Sequence, residues 1–311
     1  MNNRLKKINF NHSFIFFLFC NIFSLIAVKI KPFTISPFIC LLLILSIGIS
    51  HGSLDNVKGR KLFQIFEIKK FYIFYLAYIL IALMIIILWI FIPSVSLIIF
   101  LIVASYHFGK EDTQFLIIKN SYYNQFLFFL KGSLIIISPM YFHFDETISI
   151  FKLLFIENEN FYNFLDLIES NNLLLYCIIL STIANILLFT KNFELKKFTI
   201  FLDYFSILII NYYFSPLVAF TIYFCFLHSI RHIISLISEL DENNISNGFK
   251  IFIKKALPLT IITAIFCVIS LYLLYKTYNF DSAILKIIFI GLASLTFPHI
   301  LLEYLVEKNE K

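Results

Sequence analysis

Long apolar runs alternate with short polar stretches along the whole chain. They fall at 13–28, 34–50, 71–92, 94–108, 122–142, 173–189, 198–214, 216–237, 257–275 and 284–305. A helix needs roughly 20 apolar residues to cross about 30 Å of hydrocarbon, and these runs lie near that length or just below it. The pattern predicts an all-α polytopic transmembrane helix bundle of about 8–10 spans, the second, sixth and seventh runs being short enough to be re-entrant. The first run follows Arg4, Lys6 and Lys7, as a signal peptide would, but no small-residue cleavage site follows, so it reads as an uncleaved span. Pro93 marks the turn between the third and fourth runs. With no internal repeat, linker or composition break, residues 1–311 read as a single transmembrane domain.

Composition agrees with that class: 60% of the 311 residues are hydrophobic and 14% charged, about half the charge of a soluble domain. The net charge of +6 is too modest to point to nucleic acid, but its distribution bears on topology. With a cytoplasmic N-terminus, three basic loops fall inside: Lys58–Lys70, Lys191–Lys197 and the one with Lys250, Lys254 and Lys255. The longest polar stretch, 143–172, holds six acids and one lysine and is expected as an extracytoplasmic acidic loop. Lys29 and Lys31 are the discordant pair. The five cysteines lie within apolar runs without a CxxC pair, so they read as small core residues.

The eighth run carries His228 and His232, four residues apart and so one turn apart on a single helical face. Two imidazoles there are either interhelical hydrogen-bonders or partners of a bound species. The other histidines bear on the choice. His51, His107 and His299 lie on the second, fourth and tenth runs, all of which cross in the same direction as the eighth. Five histidines on four helices therefore share the cytoplasmic half of the membrane, which is better explained by a common site than by chance.

Neutral imidazole suits borderline transition metals. Two histidines one turn apart cannot take opposite axial positions on haem. There is no Glu-x-x-His pair of the di-iron carboxylate type. A histidine-rich di-iron site wants about eight histidines, whereas this chain has seven, with His12 and His143 outside the cluster. One metal ion held by four histidines fits the count. Such an ion calls for nearby acids, and Asp55, Asp112, Glu303 and Asp203 are placed to serve, unless Asp55 and Asp112 are solvated interfacial acids. Arg231 is expected to point away from the histidine face and either snorkel or pair with an acid.

The set His51-Gly52-x-x-Asp55, Tyr106-His107-Phe108-Gly109-x-x-Asp112, His228-Ser229-x-Arg231-His232 and Pro298-His299 resembles the Brp/Blh family of integral-membrane β-carotene 15,15′-dioxygenases. The resemblance runs from residue 51 to about 305, with the motifs in the family's order. It implies oxygen-dependent cleavage of the central double bond of β-carotene to two molecules of all-trans-retinal at ferrous iron, Fe(2+). It implies His51, His107, His228 and His232 as iron ligands. His299, Asp55, Asp112, Glu303, Tyr106 and Arg231 would then stand behind the ligands or face substrate. Carotenoid would enter from the bilayer of the cell (inner) membrane, against walls to which Phe205, Phe220, Tyr223, Phe224, Phe226 and Phe297 are candidate contributors, and retinal would pass to a rhodopsin.

Two other classes use the same residues. A transporter or proton relay would need polar positions continuing to the outer face, where only Lys131 and Asn211 stand. A non-catalytic membrane partner of a rhodopsin would use the histidines only as hydrogen-bonders, and metal analysis separates it from the enzyme.

Overall fold

The computed structural model describes residues 3–30, 34–117, 121–191 and 193–309, the side chain of His51 lying outside that description. Helices follow one another with no strand among the described residues. Helix α1 spans Asn3–Lys29. Helix α2, Pro37–Leu43, passes through a π turn at Ile44–Gly48 and a 3-10 turn at Ile49–Leu54 into α3, Asp55–Ile65. Helices α4 (Tyr72–Phe91), α5 (Pro93–Glu111) and α6 (Tyr122–Phe142) come next, followed by the shorter α7 (Phe144–Leu153) and α8 (Glu159–Ser170). Helices α9 (Leu173–Thr190) and α10 (Phe198–Tyr213) lead to α11, Pro216–Ile222, which continues through a π turn at Tyr223–Ser229 into α12, Ile230–Leu240. Helices α13, Ile245–Tyr275, and α14, Phe280–Asn309, close the chain.

Among the described residues nine helical segments are long and apolar enough to cross a membrane, and the chain is a multi-pass membrane protein. The seventh predicted span, α10, has 16 residues and is the one that falls short. At 1.5 Å per residue it is about 24 Å long, against a hydrocarbon core of about 30 Å. It nevertheless runs alongside α1 for most of that depth: Lys6 pairs with Glu194 just before α10, Arg231 joins Ser13 to Asp203 midway, and Phe23 stacks on Phe214 at its far end. The 143–172 stretch, expected as a loop, is largely helical as α7 and α8. Of the discordant lysines, Lys31 lies outside the described residues. The five cysteines are unbridged, with Cys20, Cys40 and Cys225 buried and Cys177 and Cys267 half-buried.

Ion pairs and packing define the two ends of the bundle. At one end Lys6 meets Glu194 at 2.9 Å, Lys58 meets Glu303 at 2.6 Å and Lys110 meets Glu307 at 2.7 Å. The Lys6 ammonium holds the Glu194 carboxyl below its usual range. At the other end the Trp89 indole donates to the Leu154 carbonyl at 3.0 Å, and the buried Lys286 ammonium donates to the Leu153 carbonyl. The N-terminus, α3 and the end of α14 thus share one end, opposite α7. Segment α11–α12 is the most buried span, whereas α13 lies on the periphery.

Glycine brings α5 and α6 together. A Cβ on Gly109 would collide with the Phe128 carbonyl, and one on Gly132 with the Ser105 carbonyl, so the backbones touch where small residues permit it. The two π turns also pack on each other. A Cβ on Gly48 would stand 2.6 Å from the Phe224 ring, and Ser229 Oγ donates to the Gly48 carbonyl at 3.4 Å. Each π turn shifts the helix register locally, and the second contains His228.

Candidate metal centre

His107 on α5, His228 and His232 on the buried span, and His299 on α14 converge near the ion-paired end. The His107 ring centroid lies 5.4 Å from that of His228 and 5.5 Å from that of His299, and His232 lies 5.8 Å from His299. All four side chains are buried. His51 falls on the 3-10 turn beside them, and its side chain lies outside the described residues. The adjacent Gly52 backbone is close enough to the cluster that a Cβ there would be 3.8 Å from His299 Nδ1.

Three of the imidazoles are held the same way, Nδ1 against a carboxylate that a second donor steadies. His299 Nδ1 lies 2.8 and 2.9 Å from the two oxygens of Asp55, which also accepts from the Tyr78 hydroxyl at 2.9 Å. His228 Nδ1 lies 3.2 Å from Asp112, which accepts from the Tyr223 hydroxyl at 2.7 Å. His232 Nδ1 lies 3.0 Å from Glu111, which accepts from the Gln114 amide at 2.6 Å. A carboxylate at Nδ1 keeps the proton there and gives Nε2 the lone pair, as in carboxylate–histidine–metal arrangements. His299, expected behind the ligands, therefore has the same support as the expected ligands His228 and His232.

Glu303 sits among these rings. Its Oε1 is 3.6 Å from His299 Nε2 and 3.7 Å from His232 Nε2, and its Oε2 is 3.8 Å from His107 Nδ1. These separations are too long for hydrogen bonds. They are close to the ~3.4 Å between two ligand atoms each about 2.1 Å from one tetrahedral ion. Two donor groups, His107–His299–Glu303 and Glu111–His232–Glu303, each have their ligand atoms within 4.8 Å of one another. Neutral imidazoles with carboxylates suit a first-row divalent ion, so the residues fit a metal of that class.

Arg231 does not snorkel. It is buried and forms two hydrogen bonds with Asp203, at 2.7 and 3.0 Å, and it donates to Ser13 Oγ at 2.6 Å and to the Asp112 carbonyl at 3.1 Å. Asp203 is thereby occupied away from the rings, and the pair ties α1 and α10 to the segment bearing Asp112. Asp55 and Asp112 are both buried, which leaves no room for reading them as solvated acids. Tyr106 is half-buried and lines a cavity of about 610 Å³ with His107 and Glu303. Glu111, Lys58 and Tyr78 do not stand out in the sequence as members of the cluster, and Tyr223 stands there only as a candidate wall residue, whereas its hydroxyl holds Asp112. Glu111 is four residues after His107, a spacing that offered a signal, whereas Tyr78 is one of three tyrosines at the start of the most apolar span.

A second cavity, of about 290 Å³, reaches the rings from the side. His107, Phe108, Phe224, His228 and His299 line its inner part. Ile79 of α4 and Ile262 and Phe266 of α13 form its rim, and their 48–65% exposure places the opening on the lipid-facing surface. Of the wall residues suggested by sequence, Phe224 lines this cavity with Phe220 stacked on it, Phe297 lines the other, and Phe205 is exposed on the bundle surface.

No solved structure matches the chain. It is 27% identical over 268 residues to the beta-carotene 15,15'-dioxygenase of an uncultured marine bacterium, 66A03, covering 84% of this chain and 90% of that one. The family model for beta-carotene 15,15'-dioxygenase matches residues 42–307. A match that runs from the second helix nearly to the end of the last, and takes in every histidine and carboxylate of the cluster, shows that the chain belongs to the beta-carotene 15,15'-dioxygenase family.

Proposed function

We propose that this protein cleaves β-carotene at its central 15,15′ double bond with dioxygen, at a ferrous ion held by imidazoles from the set His51, His107, His228, His232 and His299. One alkene and one dioxygen become two molecules of all-trans-retinal, each aldehyde oxygen coming from dioxygen, so no further oxidant is required. The bound ion supplies the redox chemistry that lets dioxygen react with an alkene. The observation that carries the reading is the meeting of carboxylate-held imidazoles with the inner end of an apolar cavity that opens toward lipid.

The chain's own groups have separable tasks. Asp55, Glu111 and Asp112 keep the proton on Nδ1 of His299, His232 and His228, so that each Nε2 would offer its lone pair to the ion. Phe108 and Phe224 present aromatic surface to a polyene entering between α4 and α13 and keep water from the reacting carbons. Glu303 adds a carboxylate that offsets the ion's charge. The bundle would lie in the cell (inner) membrane with its N-terminus cytoplasmic, and retinal would leave for a partner such as a rhodopsin.

The test is expression in a bacterium that already makes β-carotene. The orange colour is expected to fade and retinal to accumulate, with isotope from labelled dioxygen in both aldehydes. Unchanged pigment with folded, iron-loaded, aerated protein would overturn the assignment. Unequal aldehydes would overturn the central position of cleavage.

A further inference from the structure

The lipid-facing cavity is a poor entrance for the metal. To reach it a divalent cation would have to pass from lipid by the rim residues Ile79, Ile262 and Phe266, which offer no oxygen to replace its water, although Ser53, Asp55 and Asn56 also line the cavity. A different cavity, of about 630 Å³, opens at the ion-paired end between α3, α5, α12 and α14. Its mouth carries the exposed Lys61 and Glu239, its wall includes Ser235, and its floor is Glu111, His232 and Glu303. With Glu307, it is lined by four carboxylates (Glu111, Glu239, Glu303, Glu307) against the ammonium groups of Lys58 and Lys61 and that of Lys110, which pairs with Glu307 from beside the cavity, a balance that leaves one negative charge in excess and favours cations.

Its floor coincides with the donor group Glu111–His232–Glu303, and Glu303 is shared with the group His107–His299–Glu303 deeper in. A cation resting on the floor can therefore pass inward by exchanging partners around a single carboxylate. Lys58 pairs with Glu303 at 2.6 Å and also lines the vestibule, so its ammonium neutralises that carboxylate until a cation arrives.

We propose that this polar vestibule is the route by which a divalent cation reaches the histidines, with Glu111, His232 and Glu303 as its first docking point. The inference rests on the metal reading above but not on carotene cleavage. Cobalt(II) uptake by chelator-stripped full-length protein, followed by visible absorption, tests it. Ser235→Trp, which fills the vestibule, should slow uptake tenfold or more while leaving the final cobalt stoichiometry unchanged. Glu239→Gln on the exposed rim should slow it about threefold at low ionic strength and not at high, which keeps the test open if the tryptophan variant fails to fold. Thr263→Trp, in the apolar cavity, should leave the uptake rate unaltered. Equal rates in the Ser235 and Glu239 variants and the unmodified protein, or slowing by Thr263→Trp instead, would overturn the route. No uptake by any form would overturn the metal reading along with it. Normal uptake without carotene cleavage would overturn the functional reading alone and leave the route standing.

Discussion

Asp55→Asn is the most informative single change, because it keeps the shape of the side chain and removes its charge. Asp55 is buried, accepts the His299 Nδ1 proton at 2.8 and 2.9 Å and takes the Tyr78 hydroxyl at 2.9 Å. A hydrogen bond to a charged group contributes about 1.5–3 kcal/mol and a neutral one about 1 kcal/mol, so the substitution should cost about 0.5–2 kcal/mol at His299. At about 1.4 kcal/mol per factor of ten, that is roughly 2–30-fold in metal affinity. This overlaps the lower part of the ~10–100-fold loss seen when a carboxylate behind a metal-bound histidine is changed. Tyr78→Phe removes one donor to the same carboxylate and should cost about 1 kcal/mol. Because Tyr78 acts through Asp55, its loss should shrink in the double variant, giving a measurable coupling. Iron affinity by chelator competition and retinal formation by chromatography provide the readouts. A folded Asp55→Asn protein that binds iron with full affinity and makes retinal at the full rate would refute the role given to this carboxylate.

Three other expectations follow from separate parts of the structure. Asp203→Asn leaves the buried Arg231 with only the Asp112 carboxylate, at 3.8 Å, and should destabilise the bundle by up to about 3–5 kcal/mol, read as a fall in the unfolding midpoint of metal-free protein in detergent; an unchanged midpoint would remove the pair from the fold's supports. Gly109→Ala or Gly132→Ala should abolish folded protein, because the added methyl meets a backbone carbonyl of the facing helix; normal folded yield of either variant would contradict that close approach. Reporter fusions in the turn after α3 and at the C-terminus should report cytoplasm, and fusions between α7 and α8 the outside; α7 and the C-terminus on one side would contradict the proposed orientation.

The neighbourhood of Glu303 shows how one helix serves several tasks. Lys286 near the start of α14 is tied to the Leu153 carbonyl at the far end of the bundle, while His299 and Glu303, one turn apart, face the histidine cluster. Glu307 then pairs with Lys110 at 2.7 Å. Residues spaced by four thus place an imidazole, a carboxylate and an anchoring ion pair along one face.

The apolar runs determined the class, because a bilayer demands about 20 apolar residues in a helix that bonds its own backbone, and that requirement is local. The common direction of the histidine-bearing spans was legible for the same reason. Their motifs carried the resemblance to the carotene dioxygenases, and the family match agrees with it. Tertiary structure alone decided the rest. Which carboxylate holds which imidazole depends on contacts such as Asp55 with His299 and Asp112 with His228, 244 and 116 residues apart in sequence. The π turn at Tyr223–Ser229 has no apolar period to announce it. The 16-residue α10 could not be separated by length from a re-entrant segment until its packing alongside α1 was seen. Glu111 read as one more charge at a helix end, and only the approach of α12 makes it the partner of His232. Spans are written into a chain by what each residue asks of the lipid around it, whereas a site depends on which distant residues the packing of helices brings within hydrogen-bonding distance.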